Sequence, residues 1–253
     1  MSNIENFPSI FADFPSPLVS GKYQFIRTSD VLATLEELGW NAREASEVRA
    51  RKPHTKGFQK HLVRLSKPGF SPSKVGDEVP ELVLTNSHDG KNSFSFRIGI
   101  YRMVCSNGLI IPTEEFTNIT IKHIGNMASQ IQEVVEKMSS SFTKVYSDIE
   151  KMKSKKMTPM EIQGFANRAS RLRNIKLSDD VNSSIREILL PQRSEDEGDD
   201  LWRVFNRIQE NLMKGNFDVK TKKGPRKGTS IRSIDKGIKM NEDLWDLAKT
   251  YIS

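Results

Sequence analysis

The side chains of this chain best suited to proton or metal chemistry are its four histidines, His54, His61, His88 and His123. None follows the HExxH spacing that places two ligands and a base on one helical face. A fold that gathered His61, His88 and His123 beside Asp89 would make a metal site of the nuclease type. Against that, His88 and Asp89 already have a turn to form, and lone histidines on strands mostly serve structure. The single cysteine, Cys105, excludes an internal disulfide and a thiolate zinc site, and its apolar neighbours suit a buried thiol. Neither GxxxxGK[ST] nor GxGxxG occurs, and Gly224-Pro225-Arg226-Lys227-Gly228-Thr229 only echoes a phosphate loop. No catalytic residue, metal or cofactor is therefore expected.

Charge is more informative. The 253 residues carry a formal +7, and its distribution is uneven. From Arg43 to Lys74, nine Lys/Arg face Glu44 and Glu47, a local +7; from Lys214 to Lys239, nine face Asp218 and Asp235, again +7. The remainder is acidic, most sharply at Glu195 to Asp200. Two basic regions on an acidic chain point to a polyanion partner, set against the plainer reading of a basic surface that aids solubility. The expected phosphate contacts are Arg49, Arg51, Lys52, Lys56, Lys60 and Arg64 on a basic hairpin. Arg97, Tyr101 and Arg102 join them from a neighbouring strand, and Lys220, Lys222, Lys223, Arg226 and Lys227 from the C-terminal basic segment. Aromatic rings among such cations stack exposed bases. No recognition-helix signature appears, so single strands are favoured over duplex reading.

The elements that must position these residues are legible to different degrees. Residues 1–20, with Pro8, Pro15 and Pro17 among Phe7, Ile10, Phe11 and Phe14, read as an extended arm that docks on its own sheet or on a neighbouring subunit. Ser29 or Asp30 should cap a short helix stopped by Gly39. Strands are expected over 45–51 and 57–65. The clearest signal follows, Leu82 to Thr85 and Phe94 to Val104 about Asn86-Ser87-His88-Asp89-Gly90, a hairpin pattern. Phe94, Phe96, Ile98 and Ile100 share one face, and Ser95, Arg97 and Tyr101 the other. Gly99 suggests a bulge, Ser106-Asn107-Gly108 a turn into the strand 109–112, and Phe116 to Ile124 another strand.

A long helix from about 126 to 156 carries Ile131, Val135, Met138, Phe142, Val145, Ile149 and Met152 at alternating steps of four and three. Met and Phe on that seam favour packing against the protein's own helices over pairing between subunits. Thr158-Pro159-Met160-Glu161 is a capping box. Helices are expected to Arg173, over 179–190 and from Asp200 to Lys214. An exposed acidic linker, 192–200, precedes the last of these. Lys220 to Gly228 reads as a flexible loop, and Asn241 as the cap of a final helix. No apolar run reaches the roughly 18 residues of a membrane span, and no secretory signal is visible, so a cytoplasmic protein is expected.

The strings TNSHDG, RMVCSNGL, IKHIG, LWRVFNRIQENLMKGN and NEDLW resemble a family of phage- and plasmid-encoded proteins catalogued as a domain of unknown function. The resemblance spans roughly residues 20 to 250. It implies a mobile-element setting inside a bacterial cell and carries over no catalytic residue. The order of elements is also similar, in layout alone, to single-strand annealing proteins of recombination, although their Lys-rich start to the long helix is replaced here by Asn126-Met127-Ala128-Ser129-Gln130.

The expected architecture is α+β: arm 1–20, antiparallel sheet and long helix over 21–157, and a helical region over 158–253. The leading functional expectation is non-catalytic binding of single-stranded DNA in recombination or replication, with self-association into an oligomer left open. The alternatives are a counter-defence or regulatory protein that binds a host protein and, third, a metal-dependent nuclease.

Overall fold

The computed structural model describes residues 4–70, 78–102, 105–111, 127–175, 181–221 and 224–253. Two compact units divide the chain, Met1–Met103 with Gly108–Phe142, and Val104–Asn107 with Thr143–Ser253. The division falls inside the long helix, where the sequence suggests a boundary after residue 157.

In the first unit, helix α1 (Thr28–Glu37) precedes a five-stranded sheet in simple meander order. The strands are β1 (Asn41–Glu47), β2 (His61–Ser66), β3 (Glu78–Asn86), β4 (Ser95–Arg102) and β5 (Cys105–Ile111). β1 to β4 pair antiparallel. Register places Val63, Leu84 and Phe96 in one row, and Leu65, Leu82 and Ile98 in the next, all buried. The alternation seen in the sequence therefore sets the apolar face, each such side chain contributing about 1.5–3 kcal/mol. The other face carries Arg64, Val83 and Arg97 in one row and Leu62, Thr85 and Ser95 in another. Leu62, Val83 and Thr85 are buried too, so that face is also covered, which alternation alone could not reveal.

Several local expectations change. Gly99 pairs with Glu81 in unbroken register, and the irregularity lies in β1 between Ala42 and Glu44. β5 runs through Ser106-Asn107-Gly108, so that triplet is strand and not turn. The expected strand 116–124, with His123, lies outside the described residues. α1 has Arg27 at its N-cap, and neither Ser29 nor Asp30 caps it. The N-terminal arm is two short 3₁₀ turns, Ile4–Asn6 and Pro8–Phe11, in place of extended chain. It docks on its own unit, with the Ser9 hydroxyl donating to Glu47 at 2.7 Å and the Ser16 amide to the His88 carbonyl at 2.8 Å. The hairpin turn after β3 spans eight residues. Gly90 takes the positive φ of 73° that its type allows, and the Asp89 carboxylate accepts from the Lys91 amide.

Helix α2 (Met127–Ser154) buries every seam residue from Ile131 to Met152. The heptad stripe is thus covered within the single chain and presents no seam to a second copy. The second unit contains α3 (Pro159–Leu172), α4 (Val181–Leu189), α5 (Leu201–Lys214) and α6 (Ile234–Lys249). Thr158 and Glu161 form the capping box reciprocally, with the Thr158 amide donating to Glu161 at 2.7 Å. Trp202 stacks on Phe205 at 5.6 Å, and Trp245 meets both rings edge-on.

The segment 192–200 is not a wholly exposed linker. Asp196 and Asp200 are buried, because Asp200 caps α5 through the Arg203 amide while Arg207 donates to the Asp196 and Gly198 carbonyls. The cap of α6 is Ser233, and Asn241 lies mid-helix, bonded to Gln209 at 2.8 Å. Finally, the basic segment is a two-stranded hairpin, β6 (Asp218–Thr221) and β7 (Gly224–Lys227). Its base is pinned where Gly215 (φ 82°) meets Gly228 and Thr229. A Cβ on Gly215 would stand 2.7 Å from their backbone atoms.

Candidate functional site

A group of exposed cations sits between β1 and β2. Glu47 and Gln59 close its base, with the Gln59 amide donating to Glu47 at 2.8 Å and the Gly57 amide to the Gln59 oxygen at 2.7 Å. Between these anchors Pro53 fixes φ for a single 3₁₀ turn, Pro53–Thr55, and Gly57 reverses the chain at φ 88°. Proline and the run of charges explain why the strands end at Glu47 and begin again at His61, so that Arg49 and Arg51 join Lys52 and Lys56 in the loop and do not extend a strand. All four are exposed, as is His54. Among the described residues none of the four cations meets a carboxylate. Phe58 anchors the loop against Phe14, whose ring lies 6.0 Å away and is 62% exposed. The loop thus combines unpaired positive charge with an accessible aromatic face.

The remaining expected contacts do not join it as one surface. Arg64 is buried and donates to Glu81 at 2.7 Å, so its charge is neutralised inside the protein. Arg102 is likewise buried, on the face opposite Arg97, since it pairs across from Glu78. Tyr101 lies beneath the Arg43 guanidinium at 3.7 Å, and Arg97 donates to Ser95 at 2.7 Å. Lys60 donates to Asn92 at 3.2 Å. On the C-terminal hairpin, which belongs to the second unit, Lys227 bridges Glu187 at 2.7 Å and Asp218 at 3.0 Å, and Arg226 is exposed. Lys220 lies on β6 with its side chain outside the described set, and Lys222 and Lys223 lie outside the described residues. The two basic stretches of sequence therefore serve different units.

Behind the hairpin turn is a buried polar node that holds two of the four histidines. His61 and His88 stand 5.3 Å apart, with Thr28 between them. The Thr28 oxygen lies 2.9 Å from His61 Nε2 and 3.4 Å from His88 Nε2, and it accepts from Asn86 Nδ2 at 3.0 Å. Proton counting sets the tautomer of His61. His61 Nδ1 faces the Gln59 carbonyl at 3.2 Å, so it carries the proton and Nε2 accepts from Thr28. That hydroxyl has one proton to give, so it cannot donate to His88 Nε2 as well.

Burial, with repulsion from His88, pushes His61 down to about 3 against the pull of the Gln59 carbonyl. Burial pushes His88 down to about 4, opposed by the Ser9 backbone and Asp89. Both rings are neutral at physiological pH. Among the described residues no three His, Cys, Asp or Glu side chains gather for a metal. His61 and His88 do converge, but as a sealed structural pair, and His123 lies outside the described residues.

Sequence reasoning missed Arg43, Glu81, Thr28 and Phe14. Glu81 is fully buried between Arg43, at 2.5 Å, and Arg64. Only strand register brings these three together, so no local signal announces them. A second such glutamate, Glu210 on α5, lies between Arg193 at 2.7 Å and Lys214 at 2.5 Å. Burial pushes Glu210 up, but the hydrogen bonds from Lys214 and Arg193 prevail and hold it below its ordinary value. Nearby, Asn211 donates to the carbonyls of Glu187, Ile188 and Leu190, closing the C-terminal end of α4. The strings that carried the family resemblance, TNSHDG and LWRVFNRIQENLMKGN with NEDLW, are thus largely the polar groups these interiors must satisfy.

Among the described residues no helix is long and apolar enough to cross a membrane. No solved structure matches the chain. Two proteins of Escherichia coli (strain K12), UPF0380 protein YfjQ and UPF0380 protein YafZ, are each 34% identical to it over 247 residues, covering 97% of this chain and 88% of the relative. The family model described as domain of unknown function (DUF932) matches residues 17–245, so the chain belongs to that family.

Proposed function

We propose that this protein binds nucleic acid without transforming it, holding single strands during the recombination or replication of a phage or plasmid inside a bacterial cell. The observation that supports this reading is the loop 49–56, where Arg49, Arg51, Lys52 and Lys56 are exposed and none meets a carboxylate among the described residues. Cations held out in this way release counterions from phosphates, and the Phe14 ring beside them offers a stacking surface worth about 1–3 kcal/mol per base. Sequence-tolerant contacts of this kind suit a strand whose bases are unpaired.

The test is electrophoretic mobility with labelled single strands and duplexes across a salt series. Four phosphate contacts give a slope of about −3 in log affinity against log salt for a single strand. Replacing the four cations by alanine should flatten that slope and weaken binding at every salt. Absence of a complex at low salt, or equal binding by the fourfold variant, removes this reading. A second reading, binding of a host protein, draws on Phe11, Phe14 and Leu18, three exposed apolar side chains of the arm. It gains if nucleic acid fails to bind at low salt while a host protein co-purifies with the wild type and not with Phe14→Ala.

A further inference from the structure

In the second unit, the C-terminal end of α3 and the first turn of α6 border a half-open cavity of about 590 Å³. Four cations line it, Arg173, Arg232, Lys236 and Lys239, against the single carboxylate of Asp243. Asp243 is already bound to Lys239 at 2.9 Å, which leaves three positive charges around the cavity. Arg232 and Lys236 are exposed and meet no carboxylate among the described residues.

Arg173 is the informative one. Its Nη2 donates to the Thr229 carbonyl and its guanidinium lies 5.1 Å over the Phe217 ring, yet its buried Nη1 has no acceptor. Burial pushes its pKa down, as expected of a cation withdrawn from water without a counter-charge. A half-buried guanidinium with no carboxylate partner, beside two more unpaired cations, leaves the positive charge of this pocket uncompensated. The surroundings suit an anion as well. Ser233 caps α6, so the positive end of a 16-residue helix forms part of the wall. The opposing end of α3 is closed on itself, the Asn174 amide donating to the Arg171 carbonyl and that of Ile175 to the Ser170 carbonyl. Two of its last carbonyls are thereby taken up within the chain.

We propose that this cavity binds a phosphate monoester. Three cations without a carboxylate partner, Arg173, Arg232 and Lys236, suit the dianion better than the single charge of an internal phosphodiester. A volume of this order holds a mononucleotide. The same chemistry has two sources, a free nucleotide and the phosphorylated end of a strand. The proposal stands apart from the nucleic-acid reading above, because it uses no residue of the loop 49–56.

Calorimetric titration at low salt with inorganic phosphate, dAMP and one short oligothymidylate, prepared with a 5′-phosphate and with a 5′-hydroxyl, tests it. The phosphorylated probes should bind and inorganic phosphate should displace them. Arg173→Lys, which shortens the fork, and Lys236→Gln, at an exposed position that leaves packing intact, should each weaken binding about tenfold or more. The fourfold loop variant should leave dAMP binding unchanged. Equal binding of dAMP and the phosphorylated oligomer identifies a free nucleotide as the ligand, and preference for the phosphorylated oligomer identifies a strand end. The proposal is overturned if no phosphorylated probe binds, if both cavity variants bind as well as wild type, or if the loop variant loses dAMP binding.

Discussion

Glu81 in the sheet and Glu210 in α5 pose the same problem, a carboxylate withdrawn from water between two cations, and the two units answer it differently. Around Glu81, Arg64 is only 8% exposed and Arg43 is 29% exposed. Around Glu210, Arg193 and Lys214 are 27% and 34% exposed, so both heads reach water. The sheet has locked one positive charge inside; the helix has borrowed both from its surface. A buried glutamate is therefore a poor guide to how much depends on it. What decides the matter is whether its partners have another place to put their charge.

The largest expected effect follows from that. Glu81→Gln strands Arg64 in the interior and should cost about 3–5 kcal/mol, read as a lower denaturant midpoint for the first unit. A loss under about 1 kcal/mol would erase the contrast.

The neutral histidine node sharpens the comparison through pH. His61 and His88 have folded pKa values of about 3 and about 4, against 6.5 when unfolded. Below pH 6.5 the unfolded chain takes up protons that the folded one refuses, so the stability present above that pH is lost as pH falls towards 4 and then 3. At about 1.4 kcal/mol per pH unit for each ring, the first unit should lose on the order of 4 kcal/mol between neutrality and about pH 5. Glu210, held below its ordinary 4.5, contributes stability that declines only as pH drops beneath that value. Acid should therefore loosen the sheet unit first. Fluorescence of Trp40, read in a Trp202→Phe/Trp245→Phe double variant, and of the Trp202–Trp245 pair, read in Trp40→Phe, reports each transition. Coincident transitions would show that the two units do not respond independently.

Smaller effects complete the series. Glu210→Gln frees two cations that can turn to solvent, and its cost should be about 1–2 kcal/mol in the second unit. Lys214→Ala removes a partly exposed partner while Arg193 keeps its grip, so its effect should stay below about 1 kcal/mol. If Lys214→Ala matched Glu81→Gln, access to water would not be the deciding variable.

What could be read beforehand was whatever a few neighbouring residues determine. The Thr158–Glu161 box, the α2 seam and the alternation of Phe96, Ile98 and Ile100 are local patterns with a single physical solution. The failures were of two kinds. Some were turn chemistry overruled by pairing. Ser106-Asn107-Gly108 and Gly224 to Lys227 both contain residues that break strands in isolation, and both lie in strands once a partner is present. The others concern burial. Charged positions such as Arg64 and Asp200 looked like surface because nothing nearby in sequence announced Glu81 or the cap of α5. For the candidate site, the charge of the loop 49–56 was visible in composition, whereas its separation from Arg64 and Arg102 required the fold. Asn241 shows the same limit, since its cap-like position gave way to a bond with Gln209 from another helix.

The crossing of Gly215 and Gly228 has a bearing on recognition. Backbone meets backbone there with no side chain between, so the root of the hairpin cannot slide, and the strip from Thr229 to Ser233 leaves it in a set direction. That strip is one wall of the Arg173 cavity. An incoming anion would thus find a vessel already cast, and little of its attraction would be diverted into ordering the chain around it.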